Sequence, residues 1–235
     1  MMKTPSRALL SAVIVCFLAL FAFIPERPVG AEDGEKPFIF PFAGPPGPST
    51  WLMGQPYGNT TFAYRQRLGD YRMGQGIHFA IDISARCNTP ILAIYDGVVA
   101  VIDDVWWYGS GPHNIVINHP NGYASLYGHL VQRSGLRVGQ TVKQGDVVGL
   151  SGDPDETCYS RPHLHLEIRD LSHKRGYNPI NLIDIDWDAV SLYNAQGRAF
   201  QRDLNDPRLW QNPLDQPETI FGGPLLNDFA KPWPP

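Results

Sequence analysis

Between residues 76 and 169 the chain alternates short apolar runs with turn-forming residues. The runs lie at 77–83, 91–95, 98–105, 114–118, 123–130, 147–151 and 164–168, and each is either period-two or continuously apolar over a strand's length. Asn88-Thr89-Pro90, Asp96-Gly97, Pro120-Asn121-Gly122, Gly139-Gln140 and Gly145-Asp146 separate them, residues that favour tight turns. No 3.6-residue amphipathic period runs through this span, which rules against a helical domain. Many short strands at close spacing predict an all-β fold, an antiparallel sheet or barrel-like sandwich.

The flanks read differently. Residues 32–73 are rich in Pro, Gly and aromatics, among them Trp51, Tyr57, Phe62, Tyr64 and Tyr71, and residues 171–235 carry Pro, Asn and Asp without a clear period. They predict irregular extensions around a core at 74–170. No solenoid-type repeat is present.

At the start, Lys3 and Arg7 precede an uncharged, mostly apolar stretch at 8–24, followed by Glu26, Arg27 and the small residues Gly30 and Ala31. This is the pattern of a secretory signal peptide over 1–31. An uncleaved anchor is the alternative, since the stretch sits at the short limit of a membrane span of ~17 to 25 residues. Either way the remainder is expected outside the cytoplasm, and the membrane is a partner only if the segment stays attached. The formal charge of −4 and the lack of clustered Lys and Arg exclude nucleic acid as a partner, because phosphate binding rests on such clusters. Cys16 leaves with the leader, and Cys87 and Cys158 remain as an even pair for which an oxidising compartment permits a disulfide. Free buried thiols are the other reading.

Three segments concentrate the chemistry. In Arg161-Pro-His-Leu-His-Leu-Glu167, strand alternation puts His163, His165 and Glu167 on one face. In Gly76-Ile-His-Phe-Ala-Ile-Asp82, His78 and Asp82 are four apart, which on a strand also means one face, with small Ala80 between them. The third segment, 121–130, presents His129. Singly, each histidine reads as a hydrogen-bonded structural residue. Together, neutral imidazoles and a carboxylate form the N and O donor set that zinc accepts.

His78-x-x-x-Asp82, Tyr127-x-His129 after an Asn-Gly-Tyr turn, and His163-x-His165 followed by Leu166 and Glu167 stand in the order of a known family. The chain resembles the lysostaphin-like, or LytM, zinc endopeptidases of the M23 peptidase family over roughly 74–170. The likeness includes the connecting hairpin at 136–152. It implies one Zn²⁺ per chain held by His78, Asp82 and His165, with His129 and His163 as catalytic histidines that do not bind the metal. It also implies hydrolysis of peptidoglycan peptides, in the stem or the cross-bridge, by a secreted enzyme of the cell envelope. Glu167 is read either as a hydrogen-bond partner that orients a ligand histidine or as a rim charge. Family members commonly carry Gly where this chain has Ala80, and a tyrosine ahead of the first motif, for which Tyr71 and then Tyr64 are the nearest candidates. Asn59 is the upstream residue to weigh against the asparagine that blocks the metal in latent relatives.

Three other readings compete. A cupin would space its Glu further beyond the second His, and a biotinyl or lipoyl carrier has no need of the histidines. A catalytically silent peptidoglycan-binding or hydrolase-activator module of the same fold would have lost a site residue, and none is missing. The spacing leaves the oligomeric state, the bond cleaved and the division of labour between His129 and His163 open.

Overall fold

The protein is described by a computed structural model over residues 36–104, 109–192, 201–202, 206, 210–211 and 213–228. The leader expected at 1–31 lies outside these residues, as does Val105 at the end of one expected strand. The elements are β1 (Trp51–Gln55), α1 (Thr61–Arg65), β2 (Ile81–Ala85), β3 (Pro90–Leu92), β4 (Gly97–Ile102), β5 (His113–Asn118), β6 (Tyr123–Leu130), β7 (Thr141–Val142), β8 (Val147–Leu150), β9 (His163–Asp170), β10 (Arg175–Tyr177), α2 (Trp187–Leu192), β11 (Gln201–Arg202), β12 (Trp210–Gln211) and β13 (Thr219–Ile220). The fold is all-β and antiparallel, as the alternation predicted. One main sheet runs β1-β2-β9-β6-β5-β4-β7, with β10 beside β9 and β13 beside β10. β3 pairs with β8, and β11 with β12. The path does not close into a barrel. No helix among the described residues is long and apolar enough to cross a membrane.

Strand alternation gives the central strands two unlike faces. On β9, Leu164, Leu166 and Ile168 are fully buried in the main core with Ile81 and Ile83 of β2 and Tyr127 of β6, each such side chain contributing ~1.5 to 3 kcal/mol of burial. The intervening residues His163, His165, Glu167 and Arg169 therefore share the opposite face. Register extends that face across the sheet: Asp82 pairs with His165, Ser84 with His163, and Gly128 with His165 from the other side. A one-residue slip would exchange the two faces, so the buried leucines and isoleucines fix where the polar set lies.

Two expectations need correction. The strand expected over 77–83 begins only at Ile81. His78 instead makes an isolated two-way bridge with Gly58, its N–H and C=O both bonded to that residue at 2.9 and 2.8 Å. Its place on the site face thus comes from the Gly58 segment rather than from strand alternation. The N-terminal flank is also less irregular than its Pro and Gly content predicts. Trp51 and Met53 bury against the core, Trp51 stacks on Phe40 at a centroid distance of 4.1 Å, and β1 becomes the edge strand beside β2.

Candidate metal centre

Asp82 is the hub of the polar face. Its Oδ1 lies 2.9 Å from Nδ1 of His165 across the β2–β9 pair and 3.3 Å from Nε2 of His78. His165 donates its other ring N–H to Glu167 Oε1 at 3.2 Å, and Glu167 accepts from Nε of Arg169 at 2.6 Å. His78 donates from Nδ1 to the carbonyl of Pro56 at 2.9 Å. These bonds set the tautomers and leave a lone pair on His78 Nε2 facing a carboxylate oxygen. That nitrogen is buried and has no hydrogen-bond partner. A lone pair facing an anion repels it, and a cation between the two removes the repulsion. The ligand atoms of His78, Asp82 and His165 all lie within 4.8 Å of one another. Atoms ~2.0 to 2.1 Å from a shared tetrahedral ion stand about 3.3 Å apart, which the His78–Asp82 spacing matches. The N, N, O donor set and the orphaned buried nitrogen fit a zinc-sized cation.

Two further imidazoles face the cluster without joining it. His163 donates from Nδ1 to the carbonyl of Arg161 at 2.8 Å, and its Nε2 lies 3.8 Å from Asp82 Oδ1. His129 donates from Nδ1 to the carbonyl of Gly111. The His129 and His163 rings are 4.7 Å apart between centroids. Plain alternation along β6 would send His129 to the core side, because Tyr127 is there. The ladder with β5 prevents this: His113 pairs with Leu130 and Ile115 with Tyr127, so β6 carries one extra residue. His129 sits in that bulge at φ 57°, and the alternation resumes with Leu130 back in the core. The bulge is what turns His129 toward the site. Positive φ is uncommon for a side-chain-bearing residue and concentrates at functional positions.

Electrostatics follow from the contacts. Burial raises the Asp82 carboxyl, but the electrostatic pull of the surrounding His78 and His163 rings and the hydrogen bond from His165 outweigh it and hold the group well below the usual carboxylate range. Burial lowers His165, yet Asp82 and Glu167 on its two nitrogens overcome this and raise it to about 9. Glu167, raised by burial, is brought down below its ordinary value by Arg169 and His165. Burial, reinforced by His165 and His163, pushes His129 down to about 3, so it is neutral at ordinary pH. Once His165 gives up its extra proton, as a metal ligand must, two carboxylates and one guanidinium leave the chain Asp82–His165–Glu167–Arg169 a net negative charge to offer a cation.

The cluster opens into a cleft of about 580 Å³ whose walls include Gln55, Phe62, Tyr71, Phe79, Ser110 and Arg161. Tyr71 sits edge-on to His78 at 5.5 Å and donates its hydroxyl to Gln55 Oε1 at 3.2 Å. It packs against Phe62 and Phe79 as well, so it serves both wall and core. Tyr64 is buried and carries the Arg67 guanidinium over its ring. The Asn59 side-chain oxygen accepts from Asn227 Nδ2 at 3.0 Å, a contact with the C-terminal extension. Cys87 and Cys158 are joined, with Cα atoms 5.8 Å apart, tying the end of β2 to the loop before β9.

The residues missed from sequence are mostly supporting ones. Arg169 was within reach of the same period-two rule that aligned His163, His165 and Glu167. Gln55 was not, because it reaches the register of Asp82 only through an irregularity between Met53 and Gln55. The carbonyls of Pro56, Gly111 and Arg161 leave no side-chain signal.

Residues 76–180 match the model of Peptidase family M23. The chain is 40% identical over 109 residues to an uncharacterized metalloprotease of Buchnera aphidicola subsp. Baizongia pistaciae, covering 46% of this chain and 26% of that protein. It is 31% identical over 144 residues to the DD-carboxypeptidase/endopeptidase Mpg of Neisseria meningitidis serogroup B, covering 60% of this chain and 30% of that one. The chain thus spans under a third of the length of these two relatives. The catalytic domain of the antimicrobial peptidase lysostaphin from Staphylococcus simulans aligns with 55% of this chain and 90% of its own at 24% identity and a TM-score of 0.44. The family match spans the strands bearing Asp82, His129 and His165 and the bridge bearing His78, so the candidate site lies within the residues that are similar to a Peptidase M23 domain.

Proposed function

We propose that the chain is a zinc-dependent endopeptidase that hydrolyses peptide bonds of peptidoglycan outside the cytoplasm. The observation that carries this reading is the buried, partnerless Nε2 of His78 aimed at Asp82 beside two histidines that face the same cleft without binding the ion. His78 Nε2, Asp82 Oδ1 and His165 Nδ1 would hold the ion. Zinc, when bound with an open fourth position, supplies a Lewis acid and lowers the pKa of a bound water toward ~7.

The remaining work falls to the chain's own groups. Glu167, itself bonded to Arg169, holds His165 with Nδ1 toward Asp82. The Pro56 carbonyl does the same for His78. His129 and His163 each direct Nε2 into the cleft because Nδ1 is committed to a backbone carbonyl. His129 is neutral and keeps a free lone pair on Nε2, and the two histidines are the groups placed to exchange protons with the attacking water and the leaving amine. The apolar wall of Phe62, Tyr71 and Phe79 limits competing water around the peptide carbonyl.

The M23 match and relatives named as metalloprotease and DD-carboxypeptidase/endopeptidase support peptidase chemistry. The leader pattern at 1–31 supports export, and the domain boundaries 32–73, 74–170 and 171–235 belong to the same reading. Release of new amino termini from purified peptidoglycan, with and without a chelator, is the test. Wild type is expected to cut only with metal, and His129→Ala and His163→Ala to lose cleavage. Cleavage that survives in both variants overturns their roles. Stoichiometric zinc with no cleavage makes the chain a silent binding module instead.

A further inference from the structure

Arg161 stands two residues before His163 and lines the same cleft. Its main chain is held at both ends. The Arg161 N–H donates to Asp153 Oδ2 at 3.2 Å, and its carbonyl accepts from His163 Nδ1 at 2.8 Å. The next residue, Pro162, accepts from the Ala85 N–H of β2 at 3.3 Å. Three residues earlier, Cys158 is bonded to Cys87. Asp153 also takes the N–H and hydroxyl of Ser160. The loop is thus fixed to the sheet on both sides of the arginine, while no hydrogen bond or ion pair holds its guanidinium among the described residues.

The charges in the cleft are unevenly matched. Asp82 is enclosed by His78, His163 and His165. Arg161 is the one lysine or arginine in the cleft wall among the described residues, and Asp70 is the other charged wall residue. The two are not paired with each other, although both act on the Tyr71 hydroxyl. A guanidinium on a fixed backbone beside a reaction centre is prepared to receive an anion with little ordering cost. Its planar fork matches a carboxylate with two parallel bonds.

We infer that Arg161 sets the specificity of this cleft by binding a free carboxylate of the peptide one or two residues from the scissile bond. The spacing gives the distance: two residues along an extended chain cover ~6.5 Å from His163, about the span of two residues in a bound extended peptide. The preferred substrates are therefore stem-type peptides that keep free carboxylates. Neutral glycine bridges offer Arg161 nothing and are poorer substrates. This deepens the hydrolase reading and rests on it.

Two soluble stem-type peptides, one with its carboxylates free and one with them amidated, test the inference on the full chain loaded with zinc. Wild type is expected to show a KM about tenfold lower for the free acid, the scale of one charge-assisted pair in a partly solvated cleft. Arg161→Gln is expected to lose this discrimination, and Arg161→Lys to recover part of it, since Lys keeps the charge without the fork. Calorimetric binding of both peptides to the zinc-loaded His129→Ala protein repeats the comparison without turnover. Equal binding of acid and amide by that protein, or discrimination undiminished in Arg161→Gln, overturns the inference. Selective binding of the acid without any cleavage by wild type sinks the hydrolase reading and leaves the role of Arg161 standing.

Discussion

Arg169 Nε lies 2.6 Å from Glu167 Oε2, and both side chains are buried on the strand that carries His165. The pair backs the candidate metal centre: Glu167 holds His165, and Arg169 neutralises Glu167. The Arg169 guanidinium in turn lies 4.5 Å from the ring centroid of Phe221, in the C-terminal extension.

Glu167→Gln should therefore act on metal affinity as well as on stability. The amide keeps an acceptor for His165 but leaves Arg169 charged, buried and without its carboxylate. We expect zinc affinity to fall by about 10 to 100-fold, the range for such supporting groups, and unfolding free energy to fall by ~3 kcal/mol. Competition with a chromophoric chelator and thermal melts measure the two. Unchanged zinc affinity would mean that Glu167 is only a structural ion-pair partner. Phe221→Ala removes the ring that covers Arg169 and meets Phe79 at 5.4 Å; a loss of ~2 kcal/mol is expected for this half-buried ring.

The left-handed backbone at His129 makes a prediction of opposite sign for two small substitutions. Both His129→Ala and His129→Gly remove the imidazole and its bond to Gly111, so both should abolish cleavage. Only glycine relieves the φ of 57°. His129→Gly should be more stable than His129→Ala by ~1 kcal/mol, the usual cost of placing a Cβ in this region. Elsewhere in a strand the order would be reversed. Equilibrium unfolding of the two variants decides it, and a less stable glycine variant would show that the bulge is not strained.

These residues also show where sequence reading stops. The β9 half of the site was legible because period-two alternation and buried leucines leave His163, His165 and Glu167 no other face. Asp82 followed by the same rule from Ile81 and Ile83. His78 was assigned to the right partner by a wrong route, since its strand does not extend that far and a bridge to Gly58 positions it instead. His129 was legible as a residue and not as a direction, because one inserted residue reverses the face and no local motif announces it. The edge strand β1 was hidden by its Pro- and Gly-rich surroundings, where long-range pairing with β2 overrides local composition.

The Cys87–Cys158 bond closes a segment of 71 residues. Loop-closure entropy puts its contribution at about 4 kcal/mol as a ceiling. Cys87→Ser with Cys158→Ser should lower unfolding free energy by ~2 to 4 kcal/mol, read by urea titration under non-reducing conditions. Because the bond fixes the loop before β9, the double variant should also blunt the discrimination between free and amidated peptides without changing zinc stoichiometry. Full discrimination in the double variant would show that Asp153 alone positions Arg161.

His119 stands apart from the candidate metal centre of His78, Asp82 and His165. His119 is buried, donates from Nδ1 to the Asp96 carbonyl at 2.8 Å and accepts the Ser125 hydroxyl on Nε2 at 2.8 Å, with Phe38 and Tyr95 against its ring. Protonating Nε2 would force the bond with Ser125 to reverse direction and would bury a charge. Burial accordingly pushes His119 from 6.5 down to about 4, against the smaller upward pull of Asp96. The folded value lies below the unfolded one, so the unfolded chain takes up the proton first. The stabilisation is complete above about pH 6.5 and drains as pH falls toward about 4, to a limit of ~3 kcal/mol. Other groups of the chain also respond to acidification, so the quantity to read is the difference between wild type and His119→Gln, both stripped of metal, in urea unfolding at pH 7.5 and pH 4.5. Glutamine does not titrate, and the wild-type advantage should shrink at the lower pH. An advantage that stays constant or grows on acidification would mean that His119 is charged in the folded protein.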